Sequence, residues 1–179
     1  VRSATVCGFS PRMRLDTIIN IFCKQAYFDR EIIVHGGDQF RSNIHVWDIA
    51  RLYCDMLTFP KYLINGNAFN ATAGNHTAYA LTRMVRDEAE EQNMNPVRLT
   101  VQHDKRDPRH YLLDASRLEH RLGWKPQKSL LDAIRANFRF FGQGQLPDPE
   151  SSLYYNTRRM ENVVRSGGTH GPTLSTPST

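Results

Sequence analysis

Along residues 1–141 the apolar residues switch repeatedly between two spacings, and that switching restricts the body to alternating strands and helices. Ile18, Ile21, Phe22 and Ala26 recur three and four apart, the period of an amphipathic helix over residues 16–27. Ile32, Ile33 and Val34 instead form a short continuous apolar run that ends at a Gly36-Gly37 turn. Ile49, Leu52, Tyr53, Met56 and Leu57 predict a helix over residues 48–57, and Pro60 bars its continuation. Leu81, Met84, Val85 and Ala89 predict another over 77–91, with its outer end Asp87-Glu88-Ala89-Glu90-Glu91 as a solvated face. Residues 97–101 alternate as a strand. Asp114 suits the N-cap of a helix that stops at Gly123. Ser129-Leu130-Leu131-Asp132 has the form of a capping box with Asp in place of Glu, and opens a last helix along Leu130, Ile134, Phe138 and Phe141.

Residues 142–179 have a different character. Gly-Gln-Gly-Gln, Pro-Asp-Pro, Ser-Gly-Gly-Thr and a Ser/Thr/Pro ending bury too little apolar surface to offset chain entropy. They are expected to form a linker and a mostly disordered tail, with Leu153-Tyr154-Tyr155 docking locally. The opening run Val1-Arg2-Ser3-Ala4-Thr5-Val6-Cys7 reads as a buried strand without a start signal, so a fragment, a processed product or a truncated reading frame is expected. No stretch approaches the roughly 18 consecutive apolar residues of a membrane helix, and no signal peptide is visible. Cys7, Cys23 and Cys54 are scattered and form no C-x-x-C pair, so reduced core thiols and a cytoplasmic setting are expected, with no metal site. The sequons at Asn70 and Asn75 then count as chance matches. The net charge is +5, carried by residues 1–141, which favours an anionic ligand. Nothing in motif or spacing supports specific nucleic-acid recognition.

Four segments carry a resemblance to a known family. The first is Arg2-Ser3-Ala4-Thr5-Val6-Cys7-Gly8-Phe9-Ser10-Pro11-Arg12-Met13-Arg14. The second runs from Gly36 through Arg41 to His45-Val46-Trp47-Asp48-Ile49-Ala50. The third is Phe69-Asn70-Ala71-Thr72 and then Asn75-His76-Thr77. The fourth joins Asp107-Pro108-Arg109-His110-Tyr111 and Asp114-Ala115-Ser116-Arg117 to Leu122-Gly123-Trp124-Lys125-Pro126. In this order, over about 125 residues, the chain resembles the extended short-chain dehydrogenase/reductase family. The likeness is to its NAD-dependent nucleotide-sugar epimerases and dehydratases, in their C-terminal, substrate-binding portion. Cys7 stands where that family usually has tyrosine.

The resemblance implies an α/β chain with a partial Rossmann-like, NAD(P)-binding fold: the last part of a parallel sheet plus a small C-terminal α/β substrate-binding lobe. It implies a nucleotide-sugar substrate and, for the complete protein, NAD or NADP. The family's glycine-rich cofactor motif is absent, and none of the seven tyrosines has lysine four residues on, so no catalytic residue is assigned. Residues 1–179 are therefore expected to bind without turnover. The alternative is a non-catalytic nucleotide-diphosphate-binding module that pairs with a separate Rossmann chain; a homodimer is also open. By position in the matched motifs, Arg41 and Arg109 are the diphosphate candidates, with Lys105 and Arg106 as competitors for Arg109. Arg14 and Thr17, on the loop from Arg12, would lie along the nucleotide or sugar. Asp107 would accept from a ribose hydroxyl, and Thr5, just past its strand, would border the nicotinamide. Arginine suits a diphosphate because its planar fork pairs with two oxygens at once. Against these, Asp48 reads as a helix N-cap, His45 as a strand residue that holds the loop, and Trp124 as core packing.

Overall fold

The computed structural model describes residues 1–94, 96–103 and 109–165. In chain order the elements begin with strands β1 (Arg2–Ser3) and β2 (Thr5–Cys7), then helix α1 (Ile18–Lys24), which runs on as one π-turn over Gln25–Asp29. Strands β3 (Glu31–His35) and β4 (Phe40–His45) lead into helices α2 (Val46–Met56) and α3 (Lys61–Ile64). Next come strands β5 (Asn70–Ala71) and β6 (Gly74–Thr77), helix α4 (Ala78–Glu91) and strand β7 (Arg98–Gln102). Helices α5 (Ser116–Leu122), α6 (Leu130–Gly142) and α7 (Asn156–Arg165) complete the described residues, with a 3-10 turn at Ser152–Tyr154.

Among the described residues the strands make three short sheets. β1 pairs with β5 and β3 with β7, both parallel; β4 lies between β2, parallel to it, and β6, antiparallel. Two apolar clusters result from this arrangement. One, around Ala4, Ile44, Leu52, Phe69, Leu118 and Trp124, joins β2, β4 and β5 to α2 and α5. The larger joins α1, α4 and α6 to β2, β3 and β7, with Leu15, Ile19, Ile32, Leu81 and Ile134 wholly buried in it. The result is a sheet edge with its helices beside a small α/β lobe, the α/β class that the alternating spacings require.

Several local expectations are corrected. Asp48 is not the N-cap of α2. His45 takes that place, its Nδ1 accepting from the Trp47 N–H at 2.9 Å, while Asp48 lies fully buried inside the first turn. Asp114 is displaced by one residue. Ala115 is the N-cap of α5, and both carboxylate oxygens of Asp114 go to Ser116. Gly123 does stop that helix, at φ 64, and the Ser129/Asp132 capping box on α6 is complete. Cys54 is exposed, whereas Cys7 and Cys23 are buried. Packing also continues past residue 141. Leu146 and Tyr155 are buried in the larger cluster, and residues 156–165 are helical although no residue of α7 is buried. Composition concealed this because the segment buries two separate side chains, not a run. The last dozen residues lie outside the described ones.

His45 ties stability to pH. Burial lowers its pKa from the usual histidine value, more than the Asp48 and Asp132 carboxylates raise it, and Lys128 pushes the same way as burial. The neutral ring is the native form, because Nδ1 must accept the Trp47 N–H. Its contribution is present above the unfolded-state pKa of about 6.5 and is lost as pH falls through the lower folded value. Unfolding free energy is expected to drop as pH goes from 7 to 5. In His45→Asn, which keeps a capping acceptor without titrating, urea titrations should show that slope flattened.

Candidate functional site

A cavity of about 1000 Å³ opens between the β1–β2 strand, the start of α1 and β3. It draws on both apolar clusters, with Ala4 and Val6 on one side and Ile18, Ile21 and Phe22 on the other. Among the described residues its charged lining is Arg14, Arg41, Arg109 and Asp16, three cations to one anion.

Thr5, Arg14, Thr17, Arg41 and Arg109 all line this one cavity. Asp107, with Lys105 and Arg106, lies outside the described residues. Thr5 stands within β2, not past it, because the strand resumes after the break at Ala4 to pair Thr5 with Asn43. Arg14 is exposed at the cavity's edge, on a loop knitted by its own carbonyl, which accepts from Asn20 Nδ2 at 2.8 Å and Thr17 Oγ1 at 3.3 Å. The buried Asn20 also accepts from the Gly8 N–H (3.0 Å) and Asn137 Nδ2 (2.9 Å), so this loop is tied to the end of β2 and to α6.

Arg41 lies inside β4, not ahead of it, and is buried. One terminal nitrogen donates to the carbonyls of Phe40 (2.8 Å) and Arg109 (2.5 Å). That second bond brings the two arginines together although 68 positions separate them. Residues 109–113 run along β4 like an extra strand. Tyr111 N–H donates to the Phe40 carbonyl at 3.1 Å, and Ser42 Oγ donates to the Tyr111 carbonyl at 3.1 Å. Asn75 brackets Leu113, accepting from its N–H (3.0 Å) and donating to its carbonyl (3.0 Å). The Tyr111 ring then stands 5.3 Å from the Arg41 guanidinium and 5.9 Å from that of Arg109, within cation–π range of both. Arg14, Arg41 and Arg109 thus line one cavity, a lining whose charge is suited to an anion.

Three further residues shape the site. Gln39 is buried and holds the turn after β3, accepting from the Gly37 N–H (2.7 Å) and donating to the His35 carbonyl (2.5 Å). Gly37 sits at φ 121, where a side chain would be strained and would also press on Tyr79. Asp16 accepts from Arg14 Nε at 2.8 Å. Tyr111 had a readable signal: it stands two residues after Arg109, so in an extended segment both side chains face one way. Cys7 is set apart from the lining. Its Sγ donates to the Ile44 carbonyl at 3.4 Å, and burial, aided by Cys23, pushes its thiol pKa far up.

The chain matches no protein-family model. It is similar to part of several solved structures. One is UDP-glucuronic acid 4-epimerase from Bacillus cereus, in complex with UDP-glucuronic acid and NAD. The two are 22% identical over 79% of this chain and 44% of that one, with a TM-score of 0.64. Another is UDP-glucose 4-epimerase from Thermotoga maritima with UDP-glucose (21% identity, 80% of this chain, 45% of that one, TM-score 0.60). A third is RMD from Pseudomonas aeruginosa, complexed with NADPH (20% identity, 79% and 47%, TM-score 0.62). The chain thus spans under half the length of each, and it has the Rossmann-like α/β fold of the part it matches.

Proposed function

We propose that this chain is the nucleotide-sugar-binding part of an NAD(P)-dependent epimerase- or dehydratase-like protein. The observation that carries the reading is the convergence of Arg14, Arg41 and Arg109 on one cavity. Their side chains come from a loop, a strand and a distant segment, so no local sequence run explains the meeting. The fold shared with proteins solved with UDP-glucuronic acid and UDP-glucose points the same way. A diphosphate between the guanidiniums would leave the sugar toward Thr5 and the apolar wall of α1.

The cavity suits only one end of a dinucleotide. Ser3 and Thr5 form a short polar rim fit to border a nicotinamide. No glycine-rich strand-to-helix turn occurs among the described residues, so they give the pyrophosphate no cradle. NAD(P), when bound, supplies hydride transfer. The part of this chain is to bind the sugar nucleotide, orient it and screen it from water.

Thermal unfolding of residues 1–179 in the presence of UDP, TDP, GDP, ADP or inorganic phosphate tests this. One nucleoside diphosphate at a hundred times its Kd is expected to add about 2.7 kcal/mol of stability, with phosphate far weaker. A melt indifferent to every diphosphate at millimolar concentration would refute the reading.

A further inference from the structure

Resting on that reading, we infer that residues 149–158 are a strap belonging to the ligand site, and that Asp16 is the positioning residue that links this strap to Arg14. Asp16 divides its carboxylate between two partners. Oδ1 accepts from Arg14 Nε at 2.8 Å, and Oδ2 accepts from the backbone N–H of Asn156 at 3.0 Å. Asn156 is the first residue of α7, where backbone N–H groups lack helical partners, so Asp16 caps that helix from elsewhere in the chain. The next residue, Thr157, lines the cavity. Leu15, between Arg14 and Asp16, donates its N–H to the Tyr154 carbonyl at 2.9 Å. The loop that presents Arg14 and the start of α7 are therefore one hydrogen-bonded unit.

The far side of the strap is anchored away from the cavity. Tyr155 is buried; its hydroxyl donates to the Pro149 carbonyl at 3.0 Å and accepts from Lys24 Nζ at 2.9 Å. Glu150 pairs with Lys24 and, at 3.0 Å, with Arg158, whose guanidinium stands 4.2 Å from the Tyr155 ring centre. Lys24, Glu150 and Tyr155 are not among the residues that line the cavity. Among the described residues, the hydrogen bond of Arg14 uses Nε alone, which leaves its fork of terminal N–H groups for an anion. Burial raises the pKa of Asp16, yet Arg14 and the Asn156 N–H together hold it below the usual aspartate value, as a shared ionised carboxylate requires.

The linkage predicts communication in both directions. Loosening the strap from outside should misplace Arg14, and a ligand on Arg14 should protect the strap. Two variants of the full chain test this. Asp16→Ala removes the shared acceptor. Glu150→Lys sets a cation between Lys24 and Arg158 at an exposed position, so it undocks the strap without touching core or cavity. Hydrogen–deuterium exchange of residues 154–160 is monitored with and without UDP, beside UDP titrations. Both variants are expected to speed that exchange and to weaken UDP binding roughly three- to tenfold. Neither should weaken it further when Arg14→Ala is already present. Unchanged exchange in Asp16→Ala would overturn the inference. So would faster exchange in Glu150→Lys with wild-type affinity, since the strap would then be separate from the site. If the unmodified chain binds no UDP while Asp16→Ala still frees the strap, the proposed function falls and the Asp16 linkage stands.

Discussion

Asp48→Ala is expected to cost about 3 kcal/mol of folding stability, the largest loss from any single polar side chain outside the cavity. The carboxylate is fully buried. Oδ1 accepts the Gln127 N–H and Oδ2 the Lys128 N–H, each at 2.9 Å, and Arg51 approaches Oδ1 at 3.5 Å. These bonds dock the turn between α5 and α6 onto the first turn of α2. Arg51 adds a donor to the Lys125 carbonyl at 2.6 Å and stacks 4.4 Å from the Trp124 ring centre. Alanine would leave two inward N–H groups without acceptors and would leave Arg51 with Asp55, at 3.1 Å, as its carboxylate partner. Asp48→Asn keeps one carbonyl acceptor and should lose roughly half as much. Urea unfolding of the three proteins measures both; a loss under about 1 kcal/mol in the alanine variant would mean that water replaces the carboxylate.

Arg41→Ala is expected to weaken nucleoside-diphosphate binding by about a hundredfold or more, the effect of stripping one partner from a desolvated charge pair. Arg41→Lys should recover little. A lysine ammonium is a point charge, without the planar fork that grips two oxygens and without the flat face that lies against Tyr111. Lysine is also unsuited to reach the Phe40 and Arg109 carbonyls while still facing a ligand, so the 109–113 segment would lose a tether. Isothermal titration with UDP, beside unfolding in its absence, separates lost binding from lost structure. Affinity within threefold of wild type in Arg41→Ala would remove the diphosphate from this wall.

Much of the architecture was legible because apolar spacing reports burial directly. The helix over 77–91 and the strand over 97–101 appear within one residue of their predicted ends, because Leu81, Val85 and Ala89 have no other way to be covered together. Cap assignments were less legible. Histidine, serine and aspartate all cap helices, and choosing between His45 and Asp48 depends on where Gln127 and Lys128 sit, 79 and more positions away. The candidate residues were chosen by motif position, and the meeting of five of them in one cavity depends on tertiary pairing. No local pattern places the Arg109 carbonyl on Arg41. Asp16 and the strap were hidden for the same reason: a carboxylate two residues after an arginine reads as a local ion pair, and its second partner is 140 positions distant. The segment after residue 141 shows the limit of composition. Leu146 and Tyr155 are buried there, and an average over the whole segment dilutes both.

The pairing of β3 with β7 has a consequence for how the chain is made. Glu31 faces Arg98 and His35 faces Gln102, so each partner lies 67 positions further along. Ile32 and Val34, both buried in the finished fold, leave the ribosome long before β7 exists to cover their edge. At roughly 5–20 residues per second the wait is on the order of 3 to 13 s, far longer than a local helix needs to form. During synthesis α1 and α4 can assemble while a bare apolar strand hangs between them, and that interval is when a chaperone, or a second nascent copy, meets the edge that β7 later closes.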